Sequence, residues 1–172
     1  EPKNFEILKK NVSINKLTNV ILEQKIVSST NGKTKLFLAN TGIVGHHTTP
    51  TKNSTNFIEV DSVTLDDYFL TNNISKKINF LKIDVEGAEI KVLEGAKRIL
   101  GNNEIKIFTE FNRRIIAKLG IKPERFLSLL ADNNFRFFLP NYKTNNITET
   151  NVDELLTSDE TILINLNILC KK

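Results

Sequence analysis

The chain has 172 residues, of which 40% are hydrophobic and 26% are charged, and its formal net charge is +4. This length predicts one domain with a hydrophobic core of its own. The lysines and arginines are scattered and form no basic stripe with aromatic residues, which argues against a nucleic-acid partner. Cys170 is the single cysteine, so an intramolecular disulfide is excluded and a buried thiol is expected.

The sequence shows neither a membrane-spanning segment nor a signal peptide. We therefore expect no membrane partner and take the cytoplasm as the default compartment. The chain opens on Glu1 and Pro2 without an initiator methionine. This start suggests that the sequence begins partway along a longer protein.

The first third of the chain predicts a helix followed by strands. Asn4 can cap the helix because its side-chain oxygen can accept a backbone amide hydrogen bond. Residues 19–39 are predicted to form a hairpin-like pair of strands around the turn signal at residues 30–33. Phe57–Val63 alternates as a half-buried strand, and Thr64 is placed to cap a short helix after it.

The stretch at residues 79–100, NFLKIDVEGAEIKVLEGAKRIL, changes from strand to helix periodicity across one acidic turn. A short apolar run ends at Asp84 and Glu86 and turns on Gly87. Apolar residues then recur every three or four positions, which predicts one helix over residues 88–100. In open α/β sheets ligands bind outside the carboxyl ends of the strands, so the two carboxylates face a candidate site.

The rest of the chain alternates between strands and helices. The predicted elements are a strand at residues 104–111, a helix at 123–132, a strand at 135–139 that Pro140 stops, and a last strand at 161–170. This alternation predicts an α/β fold, a three-layer sandwich with a mostly parallel sheet. The two closing strands lack a full crossover helix between them, which predicts that the last strand is antiparallel.

Several segments resemble the FkbM family of S-adenosylmethionine-dependent methyltransferases. They are EPKNF at residues 1–5, VTLDDY at 63–68, FLKIDVEGAEIKVLEG at 80–95 and TEFN at 109–112. The resemblance runs over essentially all 172 residues and implies a single class I, Rossmann-like domain. The family's N-terminal first strand and glycine-rich loop are not found, so we expect the C-terminal three-quarters of that fold.

The resemblance implies methyl transfer from S-adenosyl-L-methionine to a hydroxyl of a sugar, glycan or polyketide-like acceptor. Such a displacement needs alignment of the reactants and a group that takes the hydroxyl proton. The candidates for positioning or proton abstraction are Asp84, Glu86, Glu110 and His46. The resemblance also places Asp84 beside the cofactor. It places Glu1 where relatives bind the two ribose hydroxyls of the cofactor. The alternative for Glu1 is a disordered first residue without a role in the site.

The other candidates also have structural alternatives. Asp84 or Glu86 would cap the following helix, where negative charge is favourable. Glu110 would form a salt bridge with a neighbouring arginine. His46 and the adjacent His47 lie in a long polar loop, where histidines are usually solvated. The carboxylates suit a hard metal ion too, but we assign no metal site.

Two other functions stay open. One is a non-catalytic remnant or partner module that does not bind cofactor alone, which the missing glycine-rich loop favours. The other is a different Rossmann-like enzyme, such as a nucleotide-binding oxidoreductase, against which the specificity of the central segment argues. Apolar surface around the missing strand would favour self-association or association with a separate N-terminal segment.

Overall fold

The computed structural model describes residues 1–38, 55–74, 77–101, 104–157 and 166–172. The helices in these parts are α1 (Pro2–Ile14), α2 (Leu65–Thr71), α3 (Glu89–Glu94), α4 (Lys97–Leu100), α5 (Arg113–Lys118), α6 (Pro123–Ala131) and α7 (Val152–Thr157). The strands are β1 (Ile26–Val27), β2 (Gly32–Phe37), β3 (Phe57–Val63), β4 (Phe80–Ile83), β5 (Lys106–Phe111), β6 (Arg136–Asn141), β7 (Asn146–Thr150) and β8 (Leu166–Lys171).

The described strands form two sheets of mixed direction. The larger sheet has the order β4-β5-β8-β6-β7 and the smaller has the order β1-β3-β2. The pairs β1–β3 and β4–β5 are parallel, whereas β2–β3, β5–β8, β6–β8 and β6–β7 are antiparallel. The prediction of a mostly parallel sheet is therefore wrong for these strands, because a short turn joins β6 to β7 and β8 returns between β5 and β6. The antiparallel last strand is confirmed.

The smaller sheet corrects the predicted hairpin over residues 19–39. Strand β3 lies between β1 and β2 and pairs with both of them, so β1 and β2 do not pair with each other. Residues 19–23 are not part of a strand. The seven-residue β3 offers a backbone edge on each side, and a pairing of distant segments like this one leaves no local sequence signal.

The hydrophobic core lies on one face of the larger sheet. Alternate residues of β5 point inward, so that Ile107 and Phe111 are fully buried, as the period-2 pattern predicted. Helices α3 and α6 cover this face, and the ring of Phe126 stacks on that of Phe111 with centroids 5.2 Å apart. The thiol of Cys170 is buried here too, which confirms the expectation for that residue.

The opposite face of the larger sheet is much more accessible. Phe80 on β4 is 56% exposed, and Lys82 and Lys106 are exposed on the same side. The described helices contribute their buried side chains to the core face. A mixed α/β arrangement is thus established, while the third layer of the predicted sandwich stays a prediction.

The single helix predicted over residues 88–100 is two helices, α3 and α4. The break falls at Gly95, the C-cap of α3. A Cβ atom on Gly95 would lie 2.1 Å from the backbone oxygen of Ser28, just after β1. A glycine is therefore needed where the end of α3 contacts the smaller sheet, and this close contact interrupts the helix.

Asp66 links α2 to the start of α4 through hydrogen bonds. Its backbone amide donates to the carbonyl oxygen of Gly95 at 3.0 Å. Its carboxylate accepts hydrogen bonds from the amides of Arg98 at 2.8 Å and Ile99 at 3.1 Å, so it caps α4 from a distant part of the chain. The predicted cap of α2 is confirmed, since Thr64 Oγ1 accepts from the Asp67 amide.

Candidate functional site

The parallel pair β4–β5 brings two of the predicted site residues to adjacent positions. Ile83 lies opposite Thr109 in the register of this pair. Asp84 follows Ile83 and Glu110 follows Thr109, so the two carboxylates occupy neighbouring positions at the carboxyl ends of the strands. Because alternate residues of a strand face opposite sides, both belong to the sheet face away from the core.

The turn after β4 holds Glu86, the third predicted carboxylate. Glu86 has φ +54° and Gly87 has φ +98°, so two successive residues adopt left-handed backbone conformations. A Cβ atom on Gly87 would lie 2.4 Å from Cγ2 of Ile115 in α5. Glycine at this position therefore permits both the turn and its contact with α5.

Glu89, which the sequence did not single out, closes this turn. Its side chain is buried, and Oε1 accepts hydrogen bonds from the amides of Val85 at 3.1 Å and Gly87 at 3.2 Å. The signal that points to it is an acidic residue in the first turn of a helix directly after a glycine turn. A carboxylate there can reach back to the free amides of the turn.

Glu110 is half-buried, and its pKa is raised above the ordinary carboxyl value. Burial is the main cause, because it disfavours the charged form. The negative charges of Glu86, Glu89 and Asp84 act in the same direction, while a hydrogen bond from the Asn112 side chain lowers the pKa. The structure thus brings Asp84 and Glu86 within electrostatic range of Glu110.

Asn112 is a second residue that sequence reasoning missed. It is buried at the start of α5, where its Oδ1 accepts a hydrogen bond from the Ile115 amide at 3.0 Å. The same side chain bonds Glu110. Helix α5 itself was not predicted, and the signal available was an asparagine, a strong N-cap residue, directly after a strand.

Asp84 is exposed and forms an ion pair with Lys82, with 2.6 Å between the Lys82 Nζ and Asp84 Oδ2 atoms. The N-cap position of α3 is occupied by Ala88, so neither Asp84 nor Glu86 is the N-cap residue of that helix. A lysine beside an exposed carboxylate is held only weakly. Asp84 therefore stays accessible to a ligand.

Glu1 lies elsewhere and has a clear structural role. Its carboxylate accepts hydrogen bonds from the amides of Lys3 at 3.0 Å and Asn4 at 2.8 Å, so Glu1 caps α1 and the predicted cap at Asn4 is wrong. The Glu1 carboxylate, one turn before Asn4, is the acceptor that the sequence-based prediction overlooked. Glu1 also lines a cavity of about 200 Å³ between α1 and the smaller sheet.

That cavity does not include the acidic residues of the larger sheet. Its walls are formed by Glu1, Asn4, Phe5, Leu8, Glu23, Gln24, Lys25, Ile26, Leu36 and Val60. The predicted site residues therefore fall into two places, the Glu1 cavity and the edge of β4 and β5. His46 and its neighbour His47 lie outside the described residues.

Within the described ranges, no group of three or more histidine, cysteine, aspartate or glutamate side chains is arranged to hold a metal ion. No helix in that part of the chain is both long and apolar enough to span a bilayer.

Asp84 and Glu110 thus lie at the carboxyl ends of adjacent parallel strands, the edge at which open α/β sheets commonly bind ligands. Residues 1–137 match the family model described as the Methyltransferase FkbM domain. This match spans well over half of the chain, so the chain belongs to the FkbM methyltransferase domain family. The match ends within β6, and the resemblance noted for later residues stays a prediction. No curated protein and no solved structure gives a match.

Proposed function

We propose that the chain transfers a methyl group from S-adenosyl-L-methionine to a hydroxyl of a sugar, glycan or polyketide-like acceptor. Membership of the family supports methyl transfer in general. The observation that supports the finer statement is Glu110, a half-buried carboxylate with a raised pKa beside Asp84 and Glu86. Perturbed carboxylates in such positions are typical of functional sites.

In this proposal Glu110 takes the proton of the acceptor hydroxyl. A raised pKa makes a carboxylate a stronger base, and the Asn112 side chain fixes its orientation. Asp84 and Glu86 accept hydrogen bonds from other hydroxyls of the acceptor. Three carboxylates at one edge repel an anionic acceptor and suit a neutral, hydroxyl-rich one.

The donor, when bound, supplies a methyl group activated by a positively charged sulfonium, and the acidic edge of β4 and β5 favours that charge. If the donor binds as in Rossmann-like proteins, the Glu1 carboxylate would accept hydrogen bonds from its two ribose hydroxyls. Its two oxygens accept hydrogen bonds from the Lys3 and Asn4 amides, which hold the carboxylate in place beside the cavity.

The cavity beside Glu1 fits only part of the donor. Its volume is about 200 Å³, whereas ligand pockets usually measure about 300–1,000 Å³. The described residues thus fit the ribose but do not enclose a complete nucleoside with its amino-acid chain. We therefore expect weak binding by residues 1–172 alone.

Calorimetric titration with S-adenosylhomocysteine tests the proposed donor. The titration is made on residues 1–172 and on a version that includes any residues preceding Glu1 in the natural protein. We expect the longer protein to bind and the shorter one to bind more weakly or not at all. Binding by neither protein would contradict the proposal and would leave the non-catalytic partner module as the better interpretation.

Replacement of Glu110 by glutamine tests the proposed base in the protein that binds the donor product. Transfer of a labelled methyl group to a panel of neutral glycosides should fall about 10²–10⁴-fold. The affinity for S-adenosylhomocysteine should not change. The control is Glu149→Gln, which removes an exposed β7 carboxylate paired with Arg136. Equal activities of the two variants would exclude Glu110 as the base.

A further inference from the structure

Glu89 is a buried acid in the first turn of α3. Its exposed fraction is 4%, although an ionised carboxylate is costly to bury without hydrogen bonds. Its Oε1 atom accepts hydrogen bonds from the amides of Val85 and Gly87. The buried carboxylate is thus bound to the turn that precedes its own helix.

Glu89 adds two hydrogen bonds to this turn. The left-handed conformation of Glu86 is unfavourable for a residue other than glycine. The direct backbone bond across this turn, from the Ala88 amide to the Val85 carbonyl oxygen, is long at 3.3 Å. On its other side the turn contacts Ile115 through Gly87. Glu89 and α5 therefore hold the turn from two sides.

We infer that Glu89 is a positioning residue, which holds Glu86 in its left-handed conformation so that the Glu86 carboxylate faces Glu110. This inference rests on the proposed function, in which Glu110 is the base and Glu86 a contact to the acceptor. Glu89 is buried and bonds the turn, so in this inference it acts through Glu86 and not on the acceptor directly. The negative charge of Glu86 contributes to the raised pKa of Glu110, and a Coulomb interaction changes with the distance between the two groups.

The test measures how strongly Glu86 acts on Glu110 and needs no ligand. The pKa of Glu110 is followed by carboxyl-carbon NMR titration with and without Glu86→Gln. The pair of measurements is made in three backgrounds: the unchanged protein, Glu89→Gln and Glu89→Met. Glutamine keeps the acceptor oxygen but not the charge, whereas methionine fills the buried space without an acceptor.

We expect Glu86→Gln to lower the pKa of Glu110 in the unchanged protein and in the Glu89→Gln background. In the Glu89→Met background that shift should disappear, and the Val85 and Gly87 amides should lose hydrogen-exchange protection. Glu94→Ala on the same helix, whose partner is Arg125, is the control and should leave the shift intact. If Glu89→Met does not fold, the Glu86→Gln shift is measured in a Glu89→Ala background instead, where it should disappear as well.

An equal Glu86→Gln shift in all three backgrounds would overturn the inference and leave Glu89 with a role in stability only. This outcome differs from failure of the proposed function, which would appear as absent binding of S-adenosylhomocysteine. In the active protein, rescue is the second readout. Methyl transfer should survive in Glu89→Gln and fall in Glu89→Met, chiefly through a lower kcat.

Discussion

The two parts of the chain on either side of Ile83 differ sharply in how they bury apolar side chains. Every fully buried apolar side chain that the structure describes lies between Ile83 and Cys170. In the described residues before Ile83, α1 buries none, and Leu8, Ile21 and other large apolar side chains are exposed. The later part thus has its own core, while the earlier part is held mainly by strand pairing and by contacts to α3 and α4.

The largest expected effect comes from the core itself. Phe111→Ala should lower the free energy of unfolding by about 3–5 kcal/mol, because it leaves a cavity against Phe126. Phe57→Ala on β3, where the ring is 40% exposed, should cost about 1 kcal/mol or less. Urea unfolding followed by circular dichroism measures both. Similar losses would mean that the two parts share one core.

The next effect tests the contact between the two parts. Gly95→Ala places a Cβ atom 2.1 Å from the Ser28 oxygen, which belongs to the backbone and cannot rotate away. We expect a loss of about 1–3 kcal/mol in the free energy of unfolding. In the control, Gly101→Ala, the nearest atom is 3.2 Å away, and the change should stay below about 1 kcal/mol. Equal losses would show that the contact with Ser28 tolerates a methyl group.

A smaller effect is expected at the hydrogen bonds of Asp66. Asp66→Ala removes the acceptor for the first amides of α4 and should cost about 1 kcal/mol. Asp132→Ala, at the C-cap of α6, removes an exposed acid and should change stability by less than about 0.5 kcal/mol. Chemical denaturation of both variants gives the comparison. An unchanged free energy of unfolding in Asp66→Ala would mean that water satisfies the first amides of α4 equally well.

The smallest effect is a pH dependence. The folded protein holds the Glu110 proton more tightly than the unfolded chain, because the pKa of Glu110 is raised from 4.5. Its contribution to stability is therefore present at low pH and is lost as the pH rises from 4.5 through the raised value. Glu110→Gln should remove the loss of stability that accompanies this rise in pH.

Glu149 provides a control of opposite sign. Its pKa is lowered, first by the hydrogen bond from Arg136, so its contribution is present above 4.5 and is lost as the pH falls through the lowered value. Glu149→Gln should weaken the acid-side dependence alone. Urea unfolding midpoints recorded across the acidic pH range separate the contribution of Glu110 from that of Glu149. A Glu110→Gln profile identical to that of the unchanged protein would contradict the raised pKa.

Local patterns in the sequence predicted the elements with strong periodicity. Strand β3 begins and ends where predicted, and the buried positions of β5 follow its alternation. Strand β7 was missed because its residues are nearly all exposed and give no apolar signal. Pro140 did not end β6, since proline is tolerated where its missing amide is not needed for a ladder bond.

Features that depend on distant residues were beyond local patterns. The helix break at Gly95 has its reason in Ser28, and the cap of α4 comes from Asp66. Glu94 pairs with Arg125 of α6, although Arg98 lies four residues further along the chain, at the spacing of a helical ion pair. For the site, the sequence pointed to Asp84, Glu86 and Glu110. The residues that hold them, Glu89 and Asn112, became evident only with the backbone in place.

The position of β8 has a consequence for synthesis on the ribosome. The strand is translated after β4 to β7, yet it lies between β5 and β6 and contributes the fully buried Ile168 and Cys170. While the nascent chain ends before residue 166, β5 and β6 have no strand to join them, and both strands present open edges. We expect the larger sheet to assemble only after translation has passed residue 171, so a stalled chain would expose those edges to aggregation or to chaperones.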